Sequence, residues 1–177
     1  LVGNLSGKNI LIIIPKSQFC EQELNGVRTL LQQGGANVVV LSKSGQEALG
    51  VNKEKIQPDG MIVDWNKKIK VESKYHAVIL IGGKGAKKSL WDDPIVPQIL
   101  TDHYRFGSII GAMGAAIVVL VRASLVTGEV PIPEDDATYK ELENLNAVCV
   151  DVPITRVENV VLGQGGNSVH QFSQKII

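Results

Sequence analysis

The rest of this chain is organised around one stretch, Gly107-Ser-Ile-Ile-Gly-Ala-Met-Gly-Ala-Ala-Ile-Val-Val-Leu-Val121. Residues 108–110 predict a short buried strand, and residues 115–121, which are almost all apolar, predict a buried helix. Because residues 111–114 leave no room for a loop between them, the strand must turn sharply into the helix. Small side chains permit such a turn, which is the geometry of a nucleophile elbow.

The predicted apex of this elbow is Ala112. The apex residue of an elbow is exposed at the carboxyl end of its strand and faces the amides that begin the next helix. Enzymes with this motif carry a serine or a cysteine there, whereas Ala112 has no nucleophilic, acidic or metal-binding atom. A tight connection between two core elements is therefore as good an interpretation of this stretch as a functional site.

Composition and charge restrict the class of protein. The chain has 177 residues, of which 44% are apolar, and this predicts one globular domain, residues 1–177, with a sizeable core. Lysine plus arginine equals aspartate plus glutamate, at 18 each, so nucleic acid is not an expected partner. The longest run without a polar side chain, residues 109–121, is too short to span a bilayer, and no membrane partner is expected either.

Cysteine and histidine usage predicts neither a disulfide framework nor a metal site. Cys20 and Cys149 are too few for a disulfide scaffold or a cysteine-only zinc site. No two of the three histidines share a metal-ligand spacing with a third partner. We therefore expect no metal, no cofactor and a cytoplasmic location.

Strands and helices alternate along the chain. Three continuous apolar runs predict parallel strands that are buried on both faces, at residues 9–14, 37–41 and 75–81. Apolar positions at helical spacing predict helices over residues 19–33 and 90–104. Three further short strands and a final helix are expected at residues 61–63, 147–150, 159–162 and 168–177.

This alternation predicts a doubly wound α/β fold of the flavodoxin-like type, a three-layer sandwich with a mostly parallel central sheet. Ligands of such folds bind outside the carboxyl ends of the strands. We expect three turns to meet there, at residues 15–22, 82–85 and 111–114.

Two of these turns, and the helix that follows the first of them, contribute candidate functional groups. Gly82-Gly-Lys-Gly85 can offer backbone N–H groups to an anion, although it lacks the spacing of a Walker or dinucleotide motif. Glu23 either complements the positive N-terminus of its helix or sets the protonation state of a thiol or water beside Ala112. Cys20 begins the same helix, where a thiolate is favoured, and an inert thiol is the simpler interpretation.

Five segments of the chain together resemble the ThiJ/PfpI superfamily, also called the DJ-one family, which is class I glutamine amidotransferase-like. They occur in the order and spacing of that family, and the resemblance runs from about residue 8 to the last helix. The segments are residues 19–24, 31–40, 75–83, 112–115 and 160–165.

The resemblance implies roles for individual residues. Glu23 stands where a helix glutamate of the family faces the nucleophile, and Gly83, next to Gly82, stands where an amide helps to form an anion hole. Ala112 and Met113 stand where the family carries its reactive cysteine and, often, a histidine. The cysteine-dependent chemistry of family members, which include glyoxalases, deglycases and peptidase-like hydrolases, is therefore not expected at this elbow.

Two hypotheses follow. The first is a non-catalytic, small-molecule-binding or stress-related member, in which Glu23, Gly83 and the amides near Ala112 and Met113 hold a small anionic or carbonyl ligand. The second is a hydrolase or glyoxalase/deglycase-type enzyme that uses Cys20 or a water activated by Glu23. The resemblance also implies a homodimer or a larger homo-oligomer.

Overall fold

Strands and helices alternate along most of the chain. The structure, a computed structural model, describes residues 4–70 and 73–176. Its strands are β1 (Asn9–Ile13), β2 (Asn37–Ser42), β3 (Ala48–Leu49), β4 (Lys55–Ile56), β5 (Gly60–Met61), β6 (Ala77–Leu80), β7 (Ile109–Met113), β8 (Glu129–Pro131), β9 (Val148–Val150), β10 (Ile154–Val157) and β11 (Val160–Gly163). Its helices are α1 (Glu21–Gln33), α2 (Ala86–Ser89), α3 (Val96–Phe106), α4 (Ile117–Arg122), α5 (Asp136–Asn144) and α6 (Val169–Ile176). None of the helices in these described ranges is long and apolar enough to cross a membrane.

Seven of the strands form the central sheet, in the order β10-β11-β7-β6-β1-β2-β5. Every neighbouring pair is parallel except β10 and β11, which are antiparallel. The chain runs outward from β1 to β2 and β5, then returns to β6 and continues to β7 and β11, so the strand order reverses between β1 and β6. This reversal is the topological switch point at which doubly wound folds bind ligands. The prediction of a flavodoxin-like, mostly parallel sheet is confirmed.

The central strand divides its side chains between two helical layers, because successive residues of a strand point to opposite faces. Ile12 of β1 belongs to a core cluster that includes Leu24 of α1 and Phe172 of α6. Its neighbour Leu11 belongs to a second cluster, with Leu100 of α3. Both strand residues are fully buried, which explains why the strand reads as a continuous apolar run rather than as an alternating one.

The predicted helix over residues 90–104 is wrong in its first half. Helix α2 ends at Ser89, and α3 begins only at Val96. Between them the buried carboxylate of Asp93 accepts hydrogen bonds from the N–H groups of Ile95 and Val96, at 2.8 and 3.1 Å. Aspartate favours helix starts because its side chain satisfies otherwise free amides, and here it supports the start of α3.

Three shorter elements also differ from expectation. The predicted strand at residues 61–63 stops at Met61, and a 3₁₀ turn over Ile62–Lys67 follows. The predicted strand near residues 147–150 is β9, which pairs with β8 outside the central sheet. The last helix is preceded by a 3₁₀ turn over Gly166–Ser168, and Ile177 lies outside the described residues.

Helices α1 and α6 pack closely at a glycine. A Cβ atom on Gly26, in the middle of α1, would overlap the side chain of Val169 on α6. Valine in a helix has one strongly preferred rotamer and cannot easily turn away. The absence of a side chain at Gly26 therefore sets the distance between the two helices.

We predict that Gly26→Ala destabilises the protein by about 1 kcal/mol, because the overlap with Val169 outweighs the better helix propensity of alanine. In a Val169→Ala background the same substitution should stabilise the protein by about 0.5–1 kcal/mol. Urea unfolding of the four variants of this cycle measures both effects. A change of the same sign in both backgrounds would contradict the packing argument.

Candidate functional site

The strand that enters the predicted elbow is longer than expected. Strand β7 continues to Met113, and Ala112 pairs within the sheet with Leu80 on one side and Leu162 on the other. Ala112 is completely buried. The prediction that Ala112 is the exposed apex is therefore wrong, because sheet pairing holds this residue inside the strand. Met113 is also fully buried, in the core layer beneath the site.

The apex of the turn is Gly114. Its φ angle of +54° lies in the left-handed region, which costs a glycine little and other residues about 1–2 kcal/mol. A Cβ atom on Gly114 would lie 3.2 Å from Oε2 of Glu23. The apex thus points at the buried glutamate, and no side chain occupies the space between them.

Glu23 is the buried acid of the site. Its side chain extends from the first turn of α1, and the residue is only 4% exposed. Oε1 accepts a hydrogen bond from the Gly82 N–H at 2.8 Å. Burial raises the pKa of Glu23 to about 7; hydrogen bonds from the Gly82 amide and the Cys20 thiol oppose this rise, and the nearby Glu134 carboxylate adds to it. At neutral pH the carboxyl group can therefore both donate and accept a proton.

Cys20 lies beside this acid, immediately before the first residue of α1. Its backbone N–H donates to the Gly82 carbonyl oxygen at 2.9 Å. Burial and the negative charge of Glu23 raise the pKa of the Cys20 thiol to about 12, although the amides of the helix start act in the opposite direction. The thiol is consequently protonated at neutral pH, and the thiolate expected from its place at a helix N-terminus does not form.

The turn after β6 packs directly on the turn after β1. Gly83 has a φ angle of +116°, and a Cβ there would overlap the backbone of Gln18 and Cys20. A Cβ on Gly85 would overlap the backbone of Ser17. In the part of the chain that the structure describes, no backbone carbonyl accepts a hydrogen bond from the Gly83 N–H. This amide is thus available at the edge of the site.

These groups border one cavity of about 390 Å³. The three turns expected to meet at the sheet edge do contribute to it, through Cys20, Gly83 and Gly114. Gly82 lies beneath it, where its N–H and C=O bind Glu23 and Cys20. Lys84 of the predicted turn 82–85 also lines the cavity, as do residues 115, 164 and 165 of the family-like segments. Sequence reasoning missed other residues that line it, among them Val51, Lys87, Trp91, Pro133, Glu134, Asp135, Ala137 and Thr138.

Trp91 fixes the backbone just beyond the apex. Its indole Nε1–H donates to the carbonyl oxygen of Ala115 at 2.7 Å. Arg122 donates to the Trp91 carbonyl oxygen at 2.9 Å and to Asp92 at 2.7 Å. The guanidinium also lies 5.6 Å from the centre of the indole ring. These contacts couple the turn that follows Gly114 to helix α4.

The other candidate chemical groups lie apart from the cavity. Cys149 is a half-buried residue of β9. His76 and His170 are exposed, whereas His103 is buried against the rings of Trp65 and Tyr75. Within residues 4–70 and 73–176, no group of three histidine, cysteine or acidic side chains could hold a metal ion.

Known proteins and structures are similar to this chain over nearly its whole length. A protein of Methanocaldococcus jannaschii, described as uncharacterized, is 24% identical over 98% of this chain and 83% of its own length. The glutathione-independent glyoxalase DJR-1.2 of Caenorhabditis elegans is 27% identical over 96% of this chain and 87% of its own length. The crystal structure of a ThiJ/PfpI domain protein from Brachyspira murdochii shares the fold, with a TM-score of 0.80 and 20% identity, over 96% of this chain and 95% of that one.

The family model described as DJ-1/PfpI family matches residues 8–177. This range contains the central sheet, the glycine apex, Glu23 and every residue that lines the cavity. The resemblance seen in the sequence is therefore confirmed, and the chain belongs to the DJ-1/PfpI family.

Proposed function

We propose that this chain is a family member without elbow cysteine chemistry, which binds a small anionic or carbonyl compound non-covalently. The observation that carries the proposal is the geometry of Gly114. Its missing Cβ would lie 3.2 Å from Oε2 of Glu23, at the apex of the turn. A cysteine side chain at this point would be the nucleophile that a helix glutamate of the family faces.

Gly114, rather than Ala112, is therefore proposed to occupy the place of the family's reactive cysteine. Two features support this assignment over the one made from the sequence. Gly114 borders the cavity whereas Ala112 does not, and only Gly114 has the left-handed backbone of a strained turn. Either residue leaves the elbow without a nucleophile.

Cys20 does not supply a replacement nucleophile in this proposal. The reactive form of cysteine is the thiolate, and the pKa of Cys20 is raised to about 12. The causes are burial and, after it, the charge of the same Glu23 carboxyl group that would have to activate the thiol. Cys20 and Glu23 thus form a neutral thiol next to an acid. Such a pair favours hydrogen bonds to a ligand over nucleophilic attack on the ligand.

The remaining groups suit a ligand with a polarised oxygen. The protonated form of Glu23 can donate a hydrogen bond to a carbonyl oxygen, and the free N–H of Gly83 can donate a second one. Carbonyl compounds are the first ligands to test, since the C. elegans relative is named as a glyoxalase. A single cytoplasmic domain that self-associates as a homodimer or larger assembly completes the proposal.

The second candidate is an enzyme in which Glu23 activates a water molecule. The side chain missing from Gly114 leaves space beside Oε2 of Glu23, and a pKa of about 7 is close to the best value for a general base at neutral pH. This route would support hydrolase or glyoxalase/deglycase-type chemistry without any cysteine. It differs from the first proposal in requiring activity that survives Cys20→Ser and is lost with Glu23→Gln.

We predict that Gly114→Cys confers conversion of methylglyoxal to lactate at a rate about tenfold or more above the unchanged protein. The introduced thiol would face Glu23, while the left-handed backbone would cost about 1–2 kcal/mol of stability. Ala112→Cys is the matched control, because that side chain stays inside the sheet. Lactate formation is followed for all variants at equal concentration.

Two outcomes would count against the proposal. Equal activity of Gly114→Cys and Ala112→Cys would refute the assignment of the apex. Robust turnover of glyoxal or methylglyoxal by the unchanged protein that survives Cys20→Ser would refute the non-catalytic function and favour a water activated by Glu23.

A second prediction concerns the thiol. Alkylation of Cys20 by iodoacetamide should keep rising with pH up to about 10 without a plateau, since only the thiolate reacts. Glu23→Gln removes the neighbouring charge and should accelerate the reaction severalfold between about pH 8 and 10. Mass spectrometry follows Cys20 and Cys149 separately, and Cys149 serves as the control that Glu23→Gln leaves unchanged. A plateau below pH 8.5, the usual cysteine pKa being about 8.5, would identify an activated thiol instead.

A further inference from the structure

Charged groups of both signs line the cavity described above. Lys84 and Lys87 come from the turn after β6 and from α2, and Glu134 comes from the segment before α5. Glu134 lies over the end of β11, where a Cβ on Gly165 would be 3.6 Å from its carboxylate.

These charges are not paired with one another. Within residues 4–70 and 73–176, none of the salt bridges includes Lys84, Lys87 or Glu134. Asp135, by contrast, already accepts hydrogen bonds from the N–H and the hydroxyl of Thr138, at 2.9 and 2.7 Å, and so caps α5. Lys84, Lys87 and Glu134 are exposed, so their charges are accessible to a ligand in the cavity.

The negative side of the cavity extends inward to Glu23. This carboxyl group is buried, its Oε2 faces the vacant side of Gly114, and the charge of Glu134 is close enough to raise its pKa. Two carboxyl groups that repel one another favour a cation between them. An ammonium group in the cavity would be attracted by both carboxyl groups.

The positive side offers matching donors. The Nζ of Lys87 lies 5.9 Å from the centre of the Trp91 ring, which holds the ammonium group at the cavity wall. The free N–H of Gly83 precedes Lys84 directly in the chain. The two lysines and this amide are donors for a carboxylate that come from one stretch of chain, residues 83–87. The indole of Trp91 with Val51 and Pro133 supplies an apolar surface for the rest of the ligand.

We propose that the cavity binds a small amino-acid zwitterion, with its ammonium group between Glu23 and Glu134 and its carboxylate at Lys84, Lys87 and the Gly83 N–H. This inference rests on the proposed function, in which the cavity holds a non-covalent ligand, and it names the class of that ligand. A cavity of about 390 Å³ is at the small end of the range for ligand sites, which suits a compound of this size.

Two matched series of probes test the charge requirement by isothermal titration calorimetry. Leucine is compared with 4-methylpentanoate and 3-methylbutylamine, which each keep one of its two charges. 5-Aminopentanoate, whose charges are further apart, is compared with pentanoate and pentylamine. We expect at least one zwitterion to bind about tenfold or more tightly than both of its singly charged analogues. If neither zwitterion exceeds its analogues, the inference is overturned.

Substitutions of exposed residues then test which side chain binds which charge of the ligand. Glu134→Gln should weaken the zwitterion about tenfold and leave the carboxylate analogue unchanged, and Lys84→Gln with Lys87→Gln should weaken the zwitterion and leave the amine analogue unchanged. Lys88→Gln and Asp136→Asn are controls, because both side chains are exposed and do not line the cavity. Equal effects of the test and control substitutions would overturn the assignment.

Calorimetry and the methylglyoxal assay together separate this inference from the proposed function. If a carboxylate analogue or methylglyoxal binds and the second charge adds no affinity, the zwitterion inference is overturned. The proposal of a non-covalent ligand in the cavity then still stands. Turnover of methylglyoxal that survives Cys20→Ser overturns the proposed function itself.

Discussion

The hydrogen bond from the Gly82 N–H to the buried carboxyl group of Glu23, 2.8 Å long, is the interaction on which the site depends. It joins α1 to the turn after β6, across the point where the strand order reverses. A buried acid needs such a partner, since an unpaired charge in the interior is costly. The hydrogen bond lowers that cost only in part, and the pKa near 7 and the protonated thiol of Cys20 both follow from the same burial.

The fold was largely predictable because it depends on averages over many residues. Continuous apolar runs such as residues 9–14 can be buried on both faces only in a parallel sheet covered by helices. The errors concern single residues that change the path of the chain. Asp93 fixes the start of α3 through two hydrogen bonds from backbone amides. The two-residue strand β5 lies at the edge of the sheet, where pairing gives little support for a longer element.

The site was only partly predictable, for reasons that differ between residues. Glu23, Gly83 and Cys20 could be found because they lie in the turns and the helix start that follow recognisable strands. The apex was misplaced by two residues because the segment Ala112-Met-Gly-Ala115 aligns with the family motif through its glycine, and its small side chains contain no marker of the strand's end. The φ angle of Gly114 and the approach of Glu134 to Glu23 arise from tertiary contacts, which no local pattern encodes.

The glycine at the apex also has an evolutionary consequence. A cysteine in a left-handed turn holds strain of about 1–3 kcal/mol, which selection for catalysis can maintain. Replacing cysteine by glycine in such a turn releases that strain, so a chain with glycine there is the more stable of the two. The reverse substitution would have to restore the strain before any benefit could be selected, and proteins keep only a small stability reserve. A glycine with the φ angle of Gly114 therefore opposes the gain of a cysteine at this apex by mutation.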